Sequence, residues 1–132
     1  MHVIRLDHAT INTSDLQASL KFYEHFLGMK PGFRPPTISI GGAWLYPEGG
    51  DYPILHLIDK KREARDNNFD HVAFRSVGLY DYLAKVKATG EWYNAMPVPE
   101  TTLVQVQHHD PNHVLIEVNF DNEPILPEDI RS

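Results

Sequence analysis

The sequence predicts an α+β protein made of two tandem βαβββ modules, and an internal repeat is the main observation behind that prediction. A short β-prone stretch with one histidine, residues 69–74, nearly repeats residues 6–11, and their alignment places His71 on His8. In both copies a segment of helical periodicity follows, and then several strand-like segments, so one supersecondary unit occurs twice. We expect the 132-residue chain to form a single domain, divided into module 1 (about 3–58), a linker (59–67), module 2 (about 68–120) and a tail (121–132).

Module 1 begins with a predicted strand at residues 3–11 and a helix at 15–27. Ser14 and Gln17 match a capping box at the start of this helix, and Gly28 ends it. The interval that follows, residues 29–36, carries three prolines and a glycine, which predicts an irregular segment. The remaining strands of module 1 are predicted at 37–40, 43–46 and 54–58, with Gly41-Gly42 as a hairpin turn between the first two.

Module 2 repeats this order of elements. Its first strand is predicted at 69–75, and its helix runs from residue 78 or 79 to 89, with Gly90 as the stop. A hairpin of strands 103–108 and 114–120 follows, joined by a turn at 110–113 in which proline supplies the fixed φ that a type I turn requires. A short strand at 91–94 completes the module, and the polar tail either frays or packs against a neighbour.

Composition excludes several classes of partner. A formal net charge of −6 leaves no basic patch that could neutralise phosphates, so we expect no nucleic-acid partner. No apolar run approaches the ~18 residues that a bilayer span needs, and no signal-peptide pattern opens the chain, which predicts no membrane partner and a cytoplasmic location. The absence of cysteine removes thiolate metal ligands, whereas eight histidines supply the commonest metal-binding side chain.

Four polar residues with apolar neighbours stand at equivalent positions of the two modules: His8, His56, His71 and Glu117. The first strand of each module carries one of them and the last strand carries another. Side chains alternate between the two faces of a sheet, so each of the four faces opposite to its immediate neighbours. A carboxylate flanked by apolar residues is costly to bury without a cation. Three imidazoles and one carboxylate match the ligands that borderline divalent metals prefer, and we predict a metal site.

Other side chains are weaker candidates for the same site. If the 110–113 turn is a regular two-residue hairpin, His108 pairs with residue 115 and shares the face of Glu117; a bulge there exchanges it with His109. Either histidine then serves as a general acid, or both are polar hairpin residues. His113 is expected in a turn position. Four aromatic residues either line an apolar pocket near the metal or pack in the core: Trp44, Tyr46, Trp92 and Tyr93.

Several motifs carry a resemblance to a known superfamily: Leu6-Asp7-His8, Ser14-Asp15-Leu16, Phe22-Tyr23-Glu24-His25-Phe26-Leu27-Gly28, Phe69-Asp70-His71-Val72-Ala73-Phe74 and His109-Asp110-Pro111-Asn112-His113-Val114-Leu115-Ile116-Glu117. With these motifs the chain resembles the vicinal-oxygen-chelate superfamily over about residues 3–120. The superfamily includes glyoxalase I, methylmalonyl-CoA epimerase, fosfomycin-resistance proteins, bleomycin-resistance proteins and extradiol dioxygenases.

The resemblance implies a cup of mixed and antiparallel strands that holds one divalent ion, Zn, Ni, Mn or Fe(II). It also implies a homodimer and a small-molecule substrate that chelates the metal through adjacent oxygens. Glu117 and His56 are the expected catalytic residues, and His56 either ligates the metal or stands back as an acid or base. Glyoxalase I members usually place a glutamate at the position of His56, and the epimerases a glutamine, so the chain departs from both patterns.

Three functions fit this pattern. The first is a metal-dependent lyase or isomerase, in which the metal polarises a carbonyl while Glu117 or a displaced ligand moves the neighbouring proton. The second is an extradiol-type Fe(II) ring-cleaving dioxygenase. The chain resembles these enzymes because they use His, His and Glu at the positions of His8, His71 and Glu117. The third is a non-catalytic protein that binds a small molecule; the metal-free members of the superfamily typically lack these ligands.

Overall fold

The computed structural model describes residues 1, 6, 8–61 and 71–132. The chain divides into two compact units, Met1–Ala64 (unit 1) and Arg65–Ser132 (unit 2). Within the described residues each unit holds one four-stranded mixed sheet and one α-helix, which confirms the predicted α+β class with two equivalent modules. In the described ranges no helix is long and apolar enough to cross a membrane.

Unit 1 contains helix α1 and four strands: α1 at Leu16–Leu27, β1 at Ala9–Thr13, β2 at Lys30–Pro31, β3 at Gly42–Tyr46 and β4 at Leu55–Asp59. The sheet order is β1-β4-β3-β2, in which β1 runs parallel to β4 and the other pairs are antiparallel. One face of the sheet is buried against α1, because Ile11, Leu45 and Leu57 are almost inaccessible. A buried hydrogen bond of 2.8 Å between the hydroxyls of Thr13 and Ser19 joins β1 to α1 on that face.

The ends of α1 differ in part from the capping box predicted at Ser14. The N-cap is Asp15, whose carboxylate accepts from the backbone N–H of Ala18 at 2.9 Å, while the Thr13 hydroxyl accepts from the Asp15 N–H. An aspartate at this position satisfies an otherwise unpaired helix N–H and complements the positive end of the helix dipole. Gly28 ends the helix as predicted, with a φ of 63° that favours glycine.

In unit 1 the strand predicted at 37–40 and the hairpin turn predicted at Gly41-Gly42 are wrong. Residues 37–40 form a turn and irregular chain, and the edge strand is instead Lys30–Pro31, within the segment expected to be irregular. Proline is tolerated there because an edge strand can leave one side of its backbone unpaired. Gly42 is the first residue of β3 and not part of a hairpin turn; a Cβ at this position would meet the carbonyl oxygen of Leu57 at 2.1 Å. Of the strand predicted at 3–11, residues 3–5 and 7 lie outside the described residues.

Unit 2 contains helix α2 and four strands: α2 at Leu79–Ala88, β5 at His71–Ser76, β6 at Tyr93–Pro97, β7 at Leu103–His109 and β8 at Leu115–Asp121. The sheet order β5-β8-β7-β6 matches that of unit 1, again with a parallel first pair. The helix and the β7–β8 hairpin confirm the prediction to within a residue or two. The short strand expected at 91–94 lies slightly later, and residues 62–70, which include most of the predicted linker, are outside the described part of the chain.

The tail packs across unit 2. Glu123 accepts from the backbone N–H groups of Gly78 and Leu79 at 2.8–3.1 Å, and so caps the start of α2. Farther along, Arg131 forms a β-bridge with Ala95 on the edge strand β6, and its guanidinium lies 4.5 Å from the ring centroid of Tyr93. Of the two predicted alternatives, fraying and packing, the tail therefore packs, and it does so against helix α2 and strand β6 of its own unit.

Candidate functional site

The four predicted residues form two equivalent pairs, one in each unit. In unit 1, His56 on β4 is the register partner of Thr10, and His8 precedes Thr10 by two residues. In unit 2, Glu117 on β8 is the register partner of Ala73, and His71 precedes Ala73 by two residues. All four lie on the sheet face opposite to the buried one, as strand alternation predicts.

The pair in unit 1 is a stack of rings. The centroids of His8 and His56 are 4.0 Å apart with planes inclined by 15°, and Trp44 on β3 lies 4.5 Å from His56 with planes inclined by 9°. Because β4 lies between β1 and β3, the His56 ring is held between the other two. The stack buries the apolar ring faces and fixes the plane of His56.

This stacking has a consequence for metal binding. A metal lies along the nitrogen lone pair of its imidazole ligand, in the ring plane and about 2.1 Å from the nitrogen. Rings that lie nearly parallel and one above the other direct their lone pairs into separate planes. In this arrangement His8 and His56 do not ligate one ion together, unless one of the two rings rotates.

The pair in unit 2 joins an imidazole to a carboxylate. His71 Nε2 lies 3.6 Å from Glu117 Oε2, a separation too long for a hydrogen bond, and the Glu117 side chain is only 13% exposed. Three side-chain amides donate to this carboxylate: Gln105, Gln107 and Asn119, which we call the amide cluster. The cluster stabilises a nearly buried negative charge with neutral donors.

The three residues of the amide cluster were not among the predicted site residues, although the alternation of polar and apolar residues along β7 indicates the face on which the two glutamines lie. In Leu103-Val104-Gln105-Val106-Gln107, polar residues alternate with buried valines, so both glutamines belong to the face opposite to the core. Register then places Gln107 directly beside Glu117 and Gln105 beside Asn119. Alternation alone gives this face, but it does not give the bonds to Glu117.

His108 lies on the other face of the sheet from Glu117, so its proposed place in the site is wrong. It pairs with Ile116, is 4% exposed, and forms a 2.6 Å hydrogen bond with the Tyr82 hydroxyl of α2. Burial, with a smaller contribution from the neighbouring His109, lowers the pKa of His108 to about 4. Burial also raises the pKa of the Tyr82 hydroxyl well above its ordinary value. Both groups are therefore neutral near pH 7.

The alternative, His109, does share the face of Glu117, because it pairs with Leu115. It also lies 5.2 Å from the half-exposed ring of Trp92. His113 occupies the connecting loop with a φ of 62°, which agrees with its predicted turn position. Of the four aromatic candidates, Trp44 belongs to the histidine stack, whereas Tyr93 is buried on the core side of its sheet.

Tyr46 belongs to a different region of unit 1. Its hydroxyl donates to the Phe33 carbonyl at 2.7 Å, and its ring lines an open cavity of about 340 Å³ between the end of α1 and the edge strand β2. Among the described residues, which include all four predicted ligands, no group of three or more histidine, aspartate or glutamate side chains is close enough together to hold a metal.

Comparison with known proteins identifies the class of protein that this fold and these residues define. The family model described as Glyoxalase/Bleomycin resistance protein/Dioxygenase superfamily matches residues 5–118. The chain belongs to this superfamily, which confirms the resemblance found in its motifs.

Similar proteins include one from a plant and two bacterial structures. "Glyoxylase I 4" of Arabidopsis thaliana is 27% identical over an alignment of 134 positions, gaps included, which covers 96% of this chain and 77% of the relative. A glyoxalase/dioxygenase structure from Nostoc punctiforme is 25% identical with a TM-score of 0.66, covering 90% of this chain and 92% of that one. A variant of the fosfomycin resistance protein FosX from Listeria monocytogenes, complexed with Mn(II) and 1S,2S-dihydroxypropylphosphonic acid, is 14% identical with a TM-score of 0.72 over 97% of both chains. The last likeness shows the fold alone.

Proposed function

We propose that this chain is a divalent-metal-dependent enzyme of the glyoxalase type, a lyase or isomerase that acts on a small substrate with vicinal oxygens. One observation carries the proposal: a nearly buried carboxylate, Glu117, lies 3.6 Å from the His71 imidazole on the sheet face that turns away from the core. A divalent cation bound between these two groups would offset the cost of burying the carboxylate charge. Superfamily membership supports this assignment, and a FosX variant of similar fold is complexed with Mn(II).

The chemistry of the donor atoms fits a divalent metal. Two donor atoms that each lie about 2.1 Å from one ion are at most about 4.2 Å apart, and His71 Nε2 lies 3.6 Å from one oxygen of the Glu117 carboxylate, Oε2. Because Gln105 and Gln107 already donate to Oε2, we propose that Glu117 binds the ion through its other oxygen, Oε1, with a rotation of the His71 ring toward it. We propose His8 as the third ligand on the basis of superfamily membership and the Leu6-Asp7-His8 motif alone. Two imidazoles and one carboxylate suit Zn, Ni, Mn or Fe(II) and leave coordination positions for a substrate.

For His56 we propose the role of acid and base rather than that of a fourth ligand. Its ring is held between His8 and Trp44 in a plane nearly parallel to that of His8, which disfavours a shared ion. A neutral imidazole accepts and returns a proton near pH 7 more readily than a carboxylate that is already hydrogen-bonded by three amides.

In the proposed reaction, a bound metal supplies Lewis acidity that stabilises negative charge developing on a substrate oxygen. The chain supplies the remaining parts. Glu117 is held in one orientation by the amide cluster, and a ring nitrogen of His56 takes a proton from the substrate carbon next to the carbonyl and returns it. Trp44 fixes the His56 ring plane and covers one of its faces, which limits access of water from that side.

A second candidate function is favoured by the same stack. If His56 does not ligate, the ligands His8, His71 and Glu117 correspond to the two-histidine, one-carboxylate set of non-haem Fe(II) oxygenases. Ring cleavage of a catechol-like substrate would then consume O2. Activity would disappear on oxidation of the iron to Fe(III).

The first test is the metal content of protein purified without chelator and without nickel affinity resin, beside two variants of one strand. Glu117→Ala should lose the metal, whereas Asp121→Ala, an exposed carboxylate on the same face of β8, should keep it. About one equivalent of zinc or nickel supports the lyase or isomerase. Iron or manganese fits either function, and O2 uptake with catechols then separates the dioxygenase, which consumes O2, from the lyase or isomerase, which does not.

The same experiment can reject the enzyme proposal. Wild-type protein that carries no metal and takes up none of these ions on reconstitution would overturn it, and a non-catalytic small-molecule binding protein would replace it. Under the proposal, His56→Ala retains the metal but loses turnover. Loss of the metal in that variant would instead make His56 a ligand. The homodimer and the cytoplasmic location stay predictions.

A further inference from the structure

The amide cluster occupies nearly all of the hydrogen-bonding capacity of Glu117. Gln107, the direct cross-strand partner of Glu117, donates from Nε2 to Oε2 at 2.9 Å, and Gln105 donates to the same oxygen. Asn119 donates from Nδ2 to Oε1 at 2.8 Å. An ionised carboxylate offers about four acceptor positions, two on each oxygen. Among the described residues, two amides therefore use both positions of Oε2, and a single amide uses one of the two positions of Oε1.

The identity of the donors is as informative as their number. None of the three amides carries a charge, so they orient the carboxylate without neutralising it, and its attraction for a cation is preserved. They come from two adjacent strands of one sheet, Gln105 and Gln107 from β7 and Asn119 from β8. Rotation of the carboxylate would break bonds to both strands, so its plane is fixed by the sheet.

We propose that Gln105, Gln107 and Asn119 are positioning residues that restrict Glu117 to binding a metal through a single oxygen atom. The inference rests on the proposed function, because it concerns the same carboxylate. Two-oxygen binding by Glu117 would need a free acceptor position on Oε2, and the two glutamines occupy both. A single-oxygen bond leaves one more coordination position on the ion for a chelating substrate than a two-oxygen bond does.

The test measures binding of Mn2+ alone to the full chain, with no substrate. Gln107→Met and the double variant Gln105→Met/Gln107→Met remove amide donors while keeping side-chain length. The matched control is Asn94→Leu, because Asn94 is the other cross-strand partner of Gln107 and lies on the same face. We expect Mn2+ affinity to fall roughly 10- to 100-fold in the glutamine variants, as for other groups that orient metal ligands, and to stay within about twofold in the control.

A second readout separates positioning from a general effect on folding. Infrared spectra of protein labelled with 13C-carboxyl glutamate, after subtraction of the Glu117→Gln spectrum, isolate the Glu117 stretching bands with and without Mn2+. Wild type should show the wide separation of antisymmetric and symmetric bands that one-oxygen binding gives. The double variant should show the narrower separation of two-oxygen binding, with thermal unfolding confirming that it is folded.

The possible failures are distinguishable. If wild type binds Mn2+ and the folded glutamine variants keep both its affinity and its band separation, the positioning role is wrong while the proposed function stands. If wild type binds neither Mn2+ nor the other divalent ions, the proposed function and the positioning role fail together. A fall in affinity that is equally large in the Asn94→Leu control would also overturn the assignment, because the effect would then belong to the sheet face in general.

Discussion

Replacement of the buried His108 by glutamine should remove a large part of the acid sensitivity of unit 2. In the folded protein the pKa of His108 is about 4, whereas an unfolded histidine titrates near its ordinary value of 6.5. As the pH falls from 6.5 to about 4, His108 becomes protonated in the unfolded chain but stays neutral in the folded protein, so the free energy of unfolding decreases across this window. Above pH 6.5 the residue is neutral in both states and contributes no pH dependence.

The size of the effect follows from the shift. A lowering from 6.5 to about 4, at about 1.4 kcal/mol per unit, corresponds to a loss of about 3 kcal/mol, complete below pH 4. At pH 5 about 2 kcal/mol of that loss should already be present. This is a large fraction of the stability of a small domain.

Urea unfolding at a series of pH values between 7.5 and 4 measures this loss. A Trp44→Phe background leaves Trp92 as the only tryptophan, so fluorescence reports on unit 2. Because all other titrating groups are shared, the difference in unfolding free energy between His108→Gln and its parent isolates the contribution of His108. A difference that stays constant from pH 7.5 to pH 4 would refute the burial argument, since it would mean that His108 titrates alike in both states.

Two further predictions concern the start of helix α2 and the loop before strand β8. Glu123→Ala should destabilise the unit by about 1–2 kcal/mol in thermal unfolding, because it removes the carboxylate that accepts from the N–H groups of Gly78 and Leu79 at the start of α2. Glu123→Gln keeps an acceptor but loses the negative charge, so it should destabilise the unit less in the same experiment. His113→Gly should stabilise the unit by up to about 1 kcal/mol, since it relieves a side chain held at a φ of 62°, and a lower melting temperature would contradict that reading.

The repeat accounts for the parts of the fold that could be predicted from sequence. Helix periodicity and Gly28 fixed α1 to within one residue, and the second copy then gave α2 and the β7–β8 hairpin. The edge strand at Lys30–Pro31 could not be found in this way, because its two residues pair through tertiary contact with β3 rather than through local preference. Residues 37–40 are β-prone in composition but follow two prolines, and the chain turns there.

Register explains why the sheet face was predicted correctly for some of the candidate residues and not for others. Alternation along each strand placed His8, His56, His71 and Glu117 on one face of their sheets, and the structure agrees. The assignment of His108 depended on the length of the loop before β8. With residues 110–114 in that loop, His108 pairs with Ile116 instead of residue 115, and a shift of one residue transfers a side chain to the opposite face.

In each unit a cross-strand neighbour supports the polar residue on the last strand, but the two units use different side chains for this. In each, the central strand carries a polar residue between apolar neighbours, and a side chain of the next strand stands directly beside it in register: Trp44 beside His56, and Gln107 beside Glu117. An imidazole is supported by a stacked ring, and a carboxylate by an amide donor, so the supporting residue matches the group that it holds. Exchange of the partners would leave an imidazole without its ring contact and a carboxylate beside an indole whose single N–H replaces two amide protons. The residue at the partner position, Trp44 on β3 and Gln107 on β7, therefore differs between the two units in accordance with the side chain that it supports. A sequence comparison that considers only the four predicted ligands would miss it.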